Sequence, residues 1–537
     1  MFRLAIIAAL FLASCNKSAD PIGPPNIVVI LADDLGYSDI GCYGSEINTP
    51  NLDRLANEGI KFAQFYNNAR CCPSRASLLT GLYPHRAGVG GMTDTQIPIP
   101  EYQGFLKENS VTIAEVLQEA GYETLMSGKW HLGEEKGHWP NDRGFDTSFA
   151  LINGASSYFD FQAYRSELWP PGNNLKVVRD DKVLDMSENK SYATDLYTNT
   201  AINMIKEHSE GMPFFLYLSY TAPHWPLHAL PEDIQRYEGR YDAGWNAVRE
   251  KRFERLKQLK LIDPEARLSE LMSLEEDWNG LSLEEQTRES KLMEVYAAMV
   301  DRLDQNVGQL FSALEETGHL NNTVIIFLSD NGAAPAGNLA ASKYSHPRFD
   351  PKAEPGTPTS FTGYGKSWAN VSNAPFREFK SNIHEGGIAT PFIIWHPSEL
   401  QQGKILYNPV HIMDVMPTLV DIGQGNYPKV AYGRTTLPME GRNLMPILKG
   451  EQQSLERPLF FEHEGNRGLI MGNWKLVGDR DREWELYNLA IDRSETRNLA
   501  DKHIKRVREM KLRYAEWASD NKVLPYDEVK RNIPFKF

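Results

Sequence analysis

The chain has 537 residues, a formal net charge of −14 at pH 7 and a hydrophobic content of 41%. This length exceeds that of one ordinary domain, so we expect one large domain and a smaller one. The negative charge argues against nucleic acid as a partner. A site for an anionic substrate would therefore need its own local cations or a metal ion.

The first residues have the features of a secretion signal. Arg3 precedes an apolar run over residues 4–13 that is too short to span a bilayer. The run ends in Leu12-Ala13-Ser14-Cys15, which resembles a bacterial lipobox and implies cleavage before Cys15 and its lipidation. Residues 1–15 would then be the signal peptide and lipobox, and residues 16–25 a polar tether.

A lipid on Cys15 predicts a protein of the bacterial cell envelope, on the periplasmic or surface face of the outer membrane. Its contact with the membrane would be through the lipid anchor alone. The alternative is a plain signal peptide with an incidental cysteine.

Two predicted strands are each followed by a pair of polar side chains. Residues 26–31 and 323–328 are short, β-branched apolar runs typical of buried parallel strands. Ligands of open α/β sheets bind at the carboxyl ends of strands, so we expect four oxygen donors there to hold one Ca²⁺, with Mg²⁺ as the alternative. No Cys/His cluster with zinc spacing occurs, which argues against a soft metal. The four donors are Asp33, Asp34, Asp330 and Asn331.

The other predicted elements alternate along the chain. The charged stretch 233–287 is typical of a solvated helical excursion, and 332–374 of a long loop. Further strands are expected at residues 124–126, 214–218 and 391–395, and amphipathic helices at 51–58, 112–120 and 292–314.

The stretch Cys71-Cys72-Pro73-Ser74-Arg75 places a thiol where an extended segment turns into a helix. Pro73 suits the first helical turn. Cys71 therefore lies near a helix N-terminus, where backbone N–H groups favour an anion, and Arg75 follows about one turn on. The alternative is an inert, buried cysteine pair.

Lys129 and His131 are two residues apart, which in an extended segment puts both side chains on one face. His224 follows a predicted strand within Pro-His-Trp-Pro. Each could equally be an unrelated surface or structural residue when taken alone.

These motifs together resemble the type I sulfatase family. Residues 71–81 meet every fixed position of its signature, C-x-P-S-R-x-x-L-x-T-G. Gly-Lys-Trp-His-Leu-Gly at 128–133, Pro-His-x-Pro at 223–226 and the segment around Lys380 follow in the family's order. Ala389 departs from the pattern, because many relatives have Arg after Glu-Gly-Gly-Ile, and this points to a sub-branch.

The resemblance covers residues 26 to about 500 and implies an alkaline phosphatase-like fold. That fold is α/β, with a large mixed, mostly parallel sheet flanked by helices over residues 26–430. Residues 431–537 would form a small C-terminal α+β subdomain with an antiparallel sheet. A closing helix is expected at 504–517, and His463 and Arg467 are candidate sugar contacts.

The resemblance also implies the chemistry. Cys71 would be oxidised to formylglycine by a formylglycine-generating or anaerobic sulfatase-maturing enzyme, and the aldehyde hydrate would be the nucleophile. Arg75 would steady the hydrate, while Lys129 and Lys380 would clamp sulfate oxygens.

Two histidines would move protons in the implied reaction. His131 would act as the base on the hydrate. His224, with Lys380, would be the general acid for the departing alcohol.

The expected substrate is a sulfated glycan, with a sulfated galactose unit as the first guess. The alternatives are a phosphate or phosphonate monoester hydrolase of the same superfamily, and a catalytically silent glycan-binding lipoprotein. For Cys42 and Cys72, a disulfide and two reduced, buried thiols remain equally open.

Overall fold

The computed structural model describes residues 23–94, 96–161, 175–209, 211–270, 277–337, 349–350, 352–396 and 400–533. Cys15 and the predicted lipobox lie outside these ranges. A sheet of ten strands runs through the centre of the described chain. In chain order its strands are β1 (Asn26–Ala32), β2 (Ile60–Phe62), β3 (Glu123–Lys129), β4 (Thr147–Leu151), β5 (Val177–Arg179), β6 (Lys182–Val183), β7 (Phe214–Ser219), β8 (Thr323–Ser329), β9 (Phe392–Trp395) and β10 (Lys404–Leu406).

The spatial order of the strands is β10-β2-β9-β8-β1-β7-β3-β4-β5-β6. The five central strands β8, β1, β7, β3 and β4 are parallel to one another. Antiparallel pairs occur only toward the two sides, where β9 pairs with β8 and β2, and β5 pairs with β4 and β6. The carboxyl ends of β8, β1, β7 and β3 therefore lie side by side at one edge.

The central strands are buried on both faces. Along β1, Val28, Ile30 and Ala32 belong to one hydrophobic core, whereas Ile27, Val29 and Leu31 belong to a second core. Successive side chains of a strand point to opposite faces, so each core lies on its own side of the sheet. This explains why the sequence shows continuous apolar runs here rather than alternation.

Helices cover both faces. The helix predicted over 292–314 is longer, because Ser282 and Glu285 form a capping box that begins it nine residues earlier. The helices are α1 (Pro50–Glu58), α2 (Cys71–Thr80), α3 (Pro84–Ala87), α4 (Ile113–Glu119), α5 (Ala193–Glu207), α6 (Pro231–Gln235), α7 (Gly244–Gln258), α8 (Leu283–Glu316), α9 (Gly365–Ser372), α10 (Glu385–Ile388), α11 (Val415–Ile422), α12 (Met445–Leu448), α13 (Ile504–Asp520) and α14 (Tyr526–Asn532).

A four-stranded antiparallel sheet lies near the C-terminus, and α13 packs on it. Its strands are β11 (Leu459–His463), β12 (Asn466–Met471), β13 (Trp474–Gly478) and β14 (Glu485–Asn488). The predicted fold class is thus confirmed: a mixed, mostly parallel sheet flanked by helices, with a small antiparallel sheet after it. The boundary between residues 430 and 431 stays a prediction.

Two-residue strands also pair outside these sheets. Phe65–Tyr66 pairs with Val410–His411, and Val430–Ala431 with Arg434–Thr435. Among the helices in the ranges described above, none combines the length and the apolar character needed to cross a membrane.

Cys42 and Cys72 are both buried and free. Cys42 belongs to the first core and Cys72 to the second, on opposite faces of the large sheet. The structure therefore bears out two reduced thiols and not the disulfide.

Candidate active site

The carboxyl edge of the large sheet gathers most of the predicted site. Asp33 and Asp34 follow β1 directly, and Asp330 and Asn331 follow β8, which is hydrogen bonded to β1. Lys129 ends β3, on the other side of β7. Strand order thus brings together residues that are up to about 300 positions apart in the chain.

The nucleophile candidate Cys71 is the first residue of α2 and is buried. The chain before it is fixed by side chains of the helix, because Ser74 Oγ accepts a hydrogen bond from Asn68 N at 3.0 Å. Asn68 Nδ2 in turn donates to Ser77 Oγ at 2.9 Å. Gly81 ends the helix with a φ of 67°. The motif's serine and glycine thus hold the two ends of the helix that presents Cys71.

Four groups lower the pKa of the Cys71 thiol. A hydrogen bond from Cys72 has the largest effect, and the charges of Lys129, His131 and Lys380 act against the opposing effect of burial. The pKa falls well below its ordinary value. The position therefore favours an anion, as expected for a nucleophile at a helix N-terminus.

Arg75 is fully buried and connects three strand ends. Its Nε and a terminal nitrogen lie 3.0 and 2.9 Å from Asp330 Oδ2. The other terminal nitrogen donates to Lys129 O at 3.0 Å and to Ser219 Oγ at 2.5 Å. Arg75 therefore contributes positive charge and also fixes the relative positions of the edge residues.

The two aspartates after β1 are each held by a lysine through one oxygen only. Asp33 Oδ2 lies 2.6 Å from Lys129 Nζ, and Asp34 Oδ1 lies 2.5 Å from Lys380 Nζ. The second oxygens, Asp33 Oδ1 and Asp34 Oδ2, are buried and accept no hydrogen bond from the described chain. Each carboxylate is thus oriented by a cation and keeps one oxygen for another ligand.

Asn331 has the same arrangement. Its Nδ2 donates to Asp34 Oδ1 at 2.6 Å and to Gly332 O at 2.9 Å, while its Oδ1 is buried without a hydrogen bond from the described residues. Asp330 Oδ1 accepts only a 3.3 Å bond from Asp34 N. Buried oxygens left without donors fit a hard divalent cation, so Asp33, Asp34 and Asn331 pass this test, whereas Asp330 offers an oxygen with one long hydrogen bond.

The charges at the edge balance before any metal is considered. Three carboxylates, those of Asp33, Asp34 and Asp330, face the three cations Arg75, Lys129 and Lys380. Burial and the neighbouring Asp33 raise the pKa of Asp330 to about 7. A divalent cation would relieve this repulsion and would also give the site the positive charge that an anionic substrate needs.

His131 and His224 contact different residues of the site. His131 is hydrogen bonded to Cys71, and burial lowers its pKa to about 4. His224 Nε2 lies 3.5 Å from Asp34 Oδ2, and burial likewise lowers its pKa to about 4. Both rings are therefore neutral at pH 7. The segment is not extended at His131 as predicted, because β3 ends at Lys129 and His131 has a φ of 57°, although the charges of both side chains act on Cys71.

Lys380 reaches the site from a loop with two left-handed residues, Glu378 (φ 63°) and Ser381 (φ 76°). Burial disfavours the ammonium, but the charge of Asp34 prevails and raises the pKa of Lys380. The loop is tied to the nucleophile by a bond of 2.8 Å from Ser381 N to Ala69 O. Of the two groups proposed as the acid, Lys380 is the one that carries a proton at neutral pH.

The two candidate sugar contacts differ in their surroundings. His463 is fully buried, and burial lowers its pKa. Arg467 instead donates to backbone carbonyls, including Asp479 O at 3.4 Å, and lies over the Trp484 ring at 4.6 Å. His463 is close enough for the charges of Arg70 and Cys71 to act on its pKa, whereas Arg467 is held within the C-terminal sheet.

Two residues of the site escaped the sequence analysis. Ser219 ends β7 and accepts from Arg75, but a serine after an apolar run carries no distinctive signal. Arg70 precedes Cys71 and donates to Ser381 Oγ at 2.8 Å. Its position next to the signature could have indicated this role, because a cation there can reach an anion bound at Cys71.

Comparison with known proteins agrees with this geometry. A family model described as Sulfatase matches residues 25–425. The arylsulfatase of Klebsiella aerogenes is 37% identical over 440 residues, covering 80% of this chain and 93% of that protein. The N-acetylgalactosamine-6-sulfatase of Rattus norvegicus is 28% identical over 509 residues, covering 91% and 77%. The crystal structure of Ps i-CgsB in complex with k-i-k-neocarrahexaose has a TM-score of 0.67 at 25% identity, covering 94% of both chains.

The chain therefore belongs to the sulfatase family, since the family model covers most of it. It is an enzyme that hydrolyses sulfate esters. The family generally uses a formylglycine and a divalent metal ion, in keeping with the Cys71 position and the four oxygen donors.

Proposed function

We propose that the enzyme removes sulfate from a carbohydrate, with a sulfated galactose unit as the first candidate, and that formylglycine made from Cys71 is its nucleophile. The observation that carries this proposal is the convergence of Cys71 with three cations and with the unshared oxygens of Asp33, Asp34 and Asn331. A maturation enzyme of the formylglycine-generating or anaerobic type is then a required partner.

Asp33, Asp34, Asp330 and Asn331 would hold one divalent cation, Ca²⁺ in preference to Mg²⁺ because all four donors are oxygens from protein side chains. When bound, the cation supplies positive charge that polarises oxygens of the nucleophile and of the sulfate. Formylglycine at position 71 would supply the nucleophilic oxygen for attack on sulfur.

The side chains around these groups bind, orient and move protons. Arg75 and Lys129 present positive charge beside Cys71, where sulfate oxygens gain charge during cleavage. Burial lowers the pKa of His131 and its ring is hydrogen bonded to residue 71, so the ring is placed to accept a proton there. On the Asp34 side, Lys380 carries the proton that the departing alcohol needs, and His224 lies beside the same carboxylate.

The preference for a carbohydrate rests on the relatives. One of them is named for N-acetylgalactosamine 6-sulfate removal, and a structural neighbour is bound to k-i-k-neocarrahexaose. His463 and Arg70 are the candidate sugar contacts, because the charge of Cys71 acts on the pKa of both. Arg467 remains a weaker candidate because backbone carbonyls already occupy it.

We further propose that Cys15 carries the lipid and that the enzyme works in the bacterial cell envelope. Support comes from the lipobox-like residues 12–15 alone. Labelling of the expressed chain with a radioactive fatty acid tests this. Cys15→Ala should abolish the label, and a label that survives this change would contradict the proposal.

The activity is tested by release of free sulfate from a panel of sulfated mono- and disaccharides and an aryl sulfate. The full chain is co-expressed with a formylglycine-generating enzyme, and the mass of the Cys71 peptide confirms the conversion. We expect release from one sugar sulfate, loss of it in Cys71→Ala, and loss on chelation with recovery when Ca²⁺ is returned.

Two results would overturn the proposal. One is converted enzyme that releases no sulfate from any sugar but cleaves phosphate or phosphonate esters. The protein would then be a phosphate or phosphonate monoester hydrolase. Enzyme whose Cys71 stays a thiol in its native host, with no turnover, would be the silent glycan-binding protein.

A further inference from the structure

Cys71 has soft neighbours as well as the hard oxygen site beside it. Cys71, Cys72 and His131 each offer a ligand atom, and these atoms lie within 4.8 Å of one another. All three residues are buried. The cluster joins the first turn of α2 to the segment after β3. Because these segments are far apart in the chain, the sequence shows no short spacing typical of a zinc site.

The donor atoms of this cluster are partly uncommitted. Within the described chain, His131 Nδ1 is buried and has no hydrogen-bond partner. Besides its hydrogen bond to Cys71, Cys72 Sγ has weak contacts to Gly91 O at 3.6 Å and to Met92 Sδ at 3.5 Å. Two thiols, an imidazole and a nearby thioether form a set that prefers soft metal ions over Ca²⁺ or Mg²⁺.

We infer that the unconverted chain binds one thiophilic cation of the Zn²⁺ type through Cys71, Cys72 and His131. Two sulfurs and one nitrogen leave the fourth tetrahedral position to water, as in many zinc sites. On binding, two metal–sulfur bonds form, and each cysteine that is still a thiol loses its proton to solvent. No oxidant or further reactant is needed.

One chain cannot have both the soft-metal site and formylglycine, because each needs residue 71. This conclusion rests on the proposed conversion of Cys71. Formylglycine has an aldehyde oxygen in place of the sulfur, so conversion leaves one thiol and one imidazole. Two protein ligands are too few for a tight zinc site. Binding of the soft ion is thus a property of the precursor, and conversion removes it.

The test uses the full chain expressed without a maturation enzyme, with Cys71 confirmed as a thiol by mass. Excess Ca²⁺ fills the oxygen site, and Cd²⁺ is then titrated while its thiolate charge-transfer absorption is followed in the ultraviolet. We expect one equivalent of Cd²⁺ to bind, protons to be released, and Zn²⁺ to displace the Cd²⁺.

Cys72→Ala and Cys42→Ser form a matched pair, because both remove one buried, free thiol. Loss of the ligand Cys72 should weaken Cd²⁺ binding by at least the roughly 10- to 100-fold that loss of an outer-shell partner costs. Cys42→Ser should leave the affinity unchanged, since Cys42 lies in the core on the other face of the sheet. Thermal unfolding identifies any variant that does not fold, and Cys72→Ser then replaces Cys72→Ala.

Absence of the absorption band at one equivalent, or equal weakening in the Cys72 and Cys42 variants, would overturn the inference. A chain with formylglycine confirmed by mass should show no absorption band. A band of full strength in that converted chain would also overturn the inference. If conversion never occurs, the proposed nucleophile fails, but the titration of the thiol form still decides the metal site.

Discussion

Each metal-ligand candidate at the sheet edge is oriented by a neighbour. Asp33 and Asp34 were recognisable because each follows a run of buried, β-branched residues, and such runs end at the ligand edge of an α/β sheet. Their lysine partners, Lys129 and Lys380, were recognisable only through motifs. Which lysine pairs with which aspartate depends on the directions of side chains from neighbouring strands and loops. A single sequence does not reveal those directions.

Arg75→Lys tests the role of a buried guanidinium at this edge. Lysine keeps the charge but has no planar fork, so it cannot contact Asp330, Ser219 and Lys129 O together. We expect a loss of about 10²- to 10³-fold in kcat, as for removal of one preorganised donor. The measurement is sulfate release per converted chain, with conversion counted by mass spectrometry.

Arg86→Lys is the control for this change, because its side chain is 30% exposed and lies 3.8 Å from Glu440. It should keep full activity. If Arg75→Lys also keeps kcat within about threefold, the guanidinium is not needed to organise the edge.

At the scale of elements, apolar periodicity predicted the strands and helices that flank the site. The boundaries differ where other forces decide them. The strand predicted at 124–126 extends over Glu123–Lys129 because pairing with β7 and β4 continues beyond its apolar residues. α8 begins before its apolar stripe because a capping box can start a helix on polar residues.

Gly81→Ala tests the left-handed end of the helix that presents Cys71. Gly81 has a φ of 67°, and its N–H donates to Ser77 O. A Cβ there would lie 3.4 Å from Met416, an ordinary contact, so backbone strain is the main cost. We expect the free energy of unfolding to fall by about 1–2 kcal/mol, measured by denaturant titration.

Gly280→Ala is the comparison, because its φ is ordinary and an added Cβ would meet nothing within 4 Å. It should leave stability unchanged or raise it slightly. Equal effects of the two substitutions would show that the left-handed conformation at position 81 does not make an alanine there costly.

At the scale of the whole molecule, the large sheet and the small one meet around the loop that carries Lys380. The sequence predicted both parts, but the strand order and the contacts between them follow from tertiary packing. Glu485 of β14 accepts from Arg377 at 3.0 Å, His384 at 3.2 Å and Tyr487 at 2.7 Å. The bonds from Arg377 and His384 tie the C-terminal sheet to the loop that carries Lys380.

Glu485 makes this junction sensitive to acid. Burial opposes its ionisation, but the bonds from His384 and Tyr487 and the charge of Arg377 lower its pKa to about 2, from 4.5. Because the folded pKa is depressed, this stabilisation is fully present above about pH 4.5 and is lost as the pH falls toward 2. We expect Glu485→Gln to flatten the dependence of the melting temperature on pH in that window, and the exposed Glu483→Gln to leave it unchanged. An unaltered slope in Glu485→Gln would exclude this carboxylate as the source.

Lys475 of β13 makes a fully buried contact between the small sheet and the part of the chain that precedes it. Its Nζ lies 3.1 Å from Glu385 Oε1 and 2.9 Å from Glu495 Oε1, and all three side chains are fully buried. Glu385 begins α10, in which Gly387 O accepts from the N–H of Gly332, the neighbour of Asn331. This chain of contacts links the small sheet to a metal-ligand candidate.

Lys475→Met keeps the length of the side chain but leaves two buried carboxylates with less positive charge. Removing one partner of a buried pair costs about 3–5 kcal/mol, so we expect a loss of that size in the free energy of unfolding. Adding Glu495→Gln should restore part of it, because the remaining Glu385 is still paired with Arg493 at 3.1 Å. Lys505→Met, on the exposed face of α13, is the control for loss of a lysine. A deficit below about 1 kcal/mol in Lys475→Met, or no recovery in the double variant, would mean that this buried network does not hold the C-terminal sheet against the catalytic part.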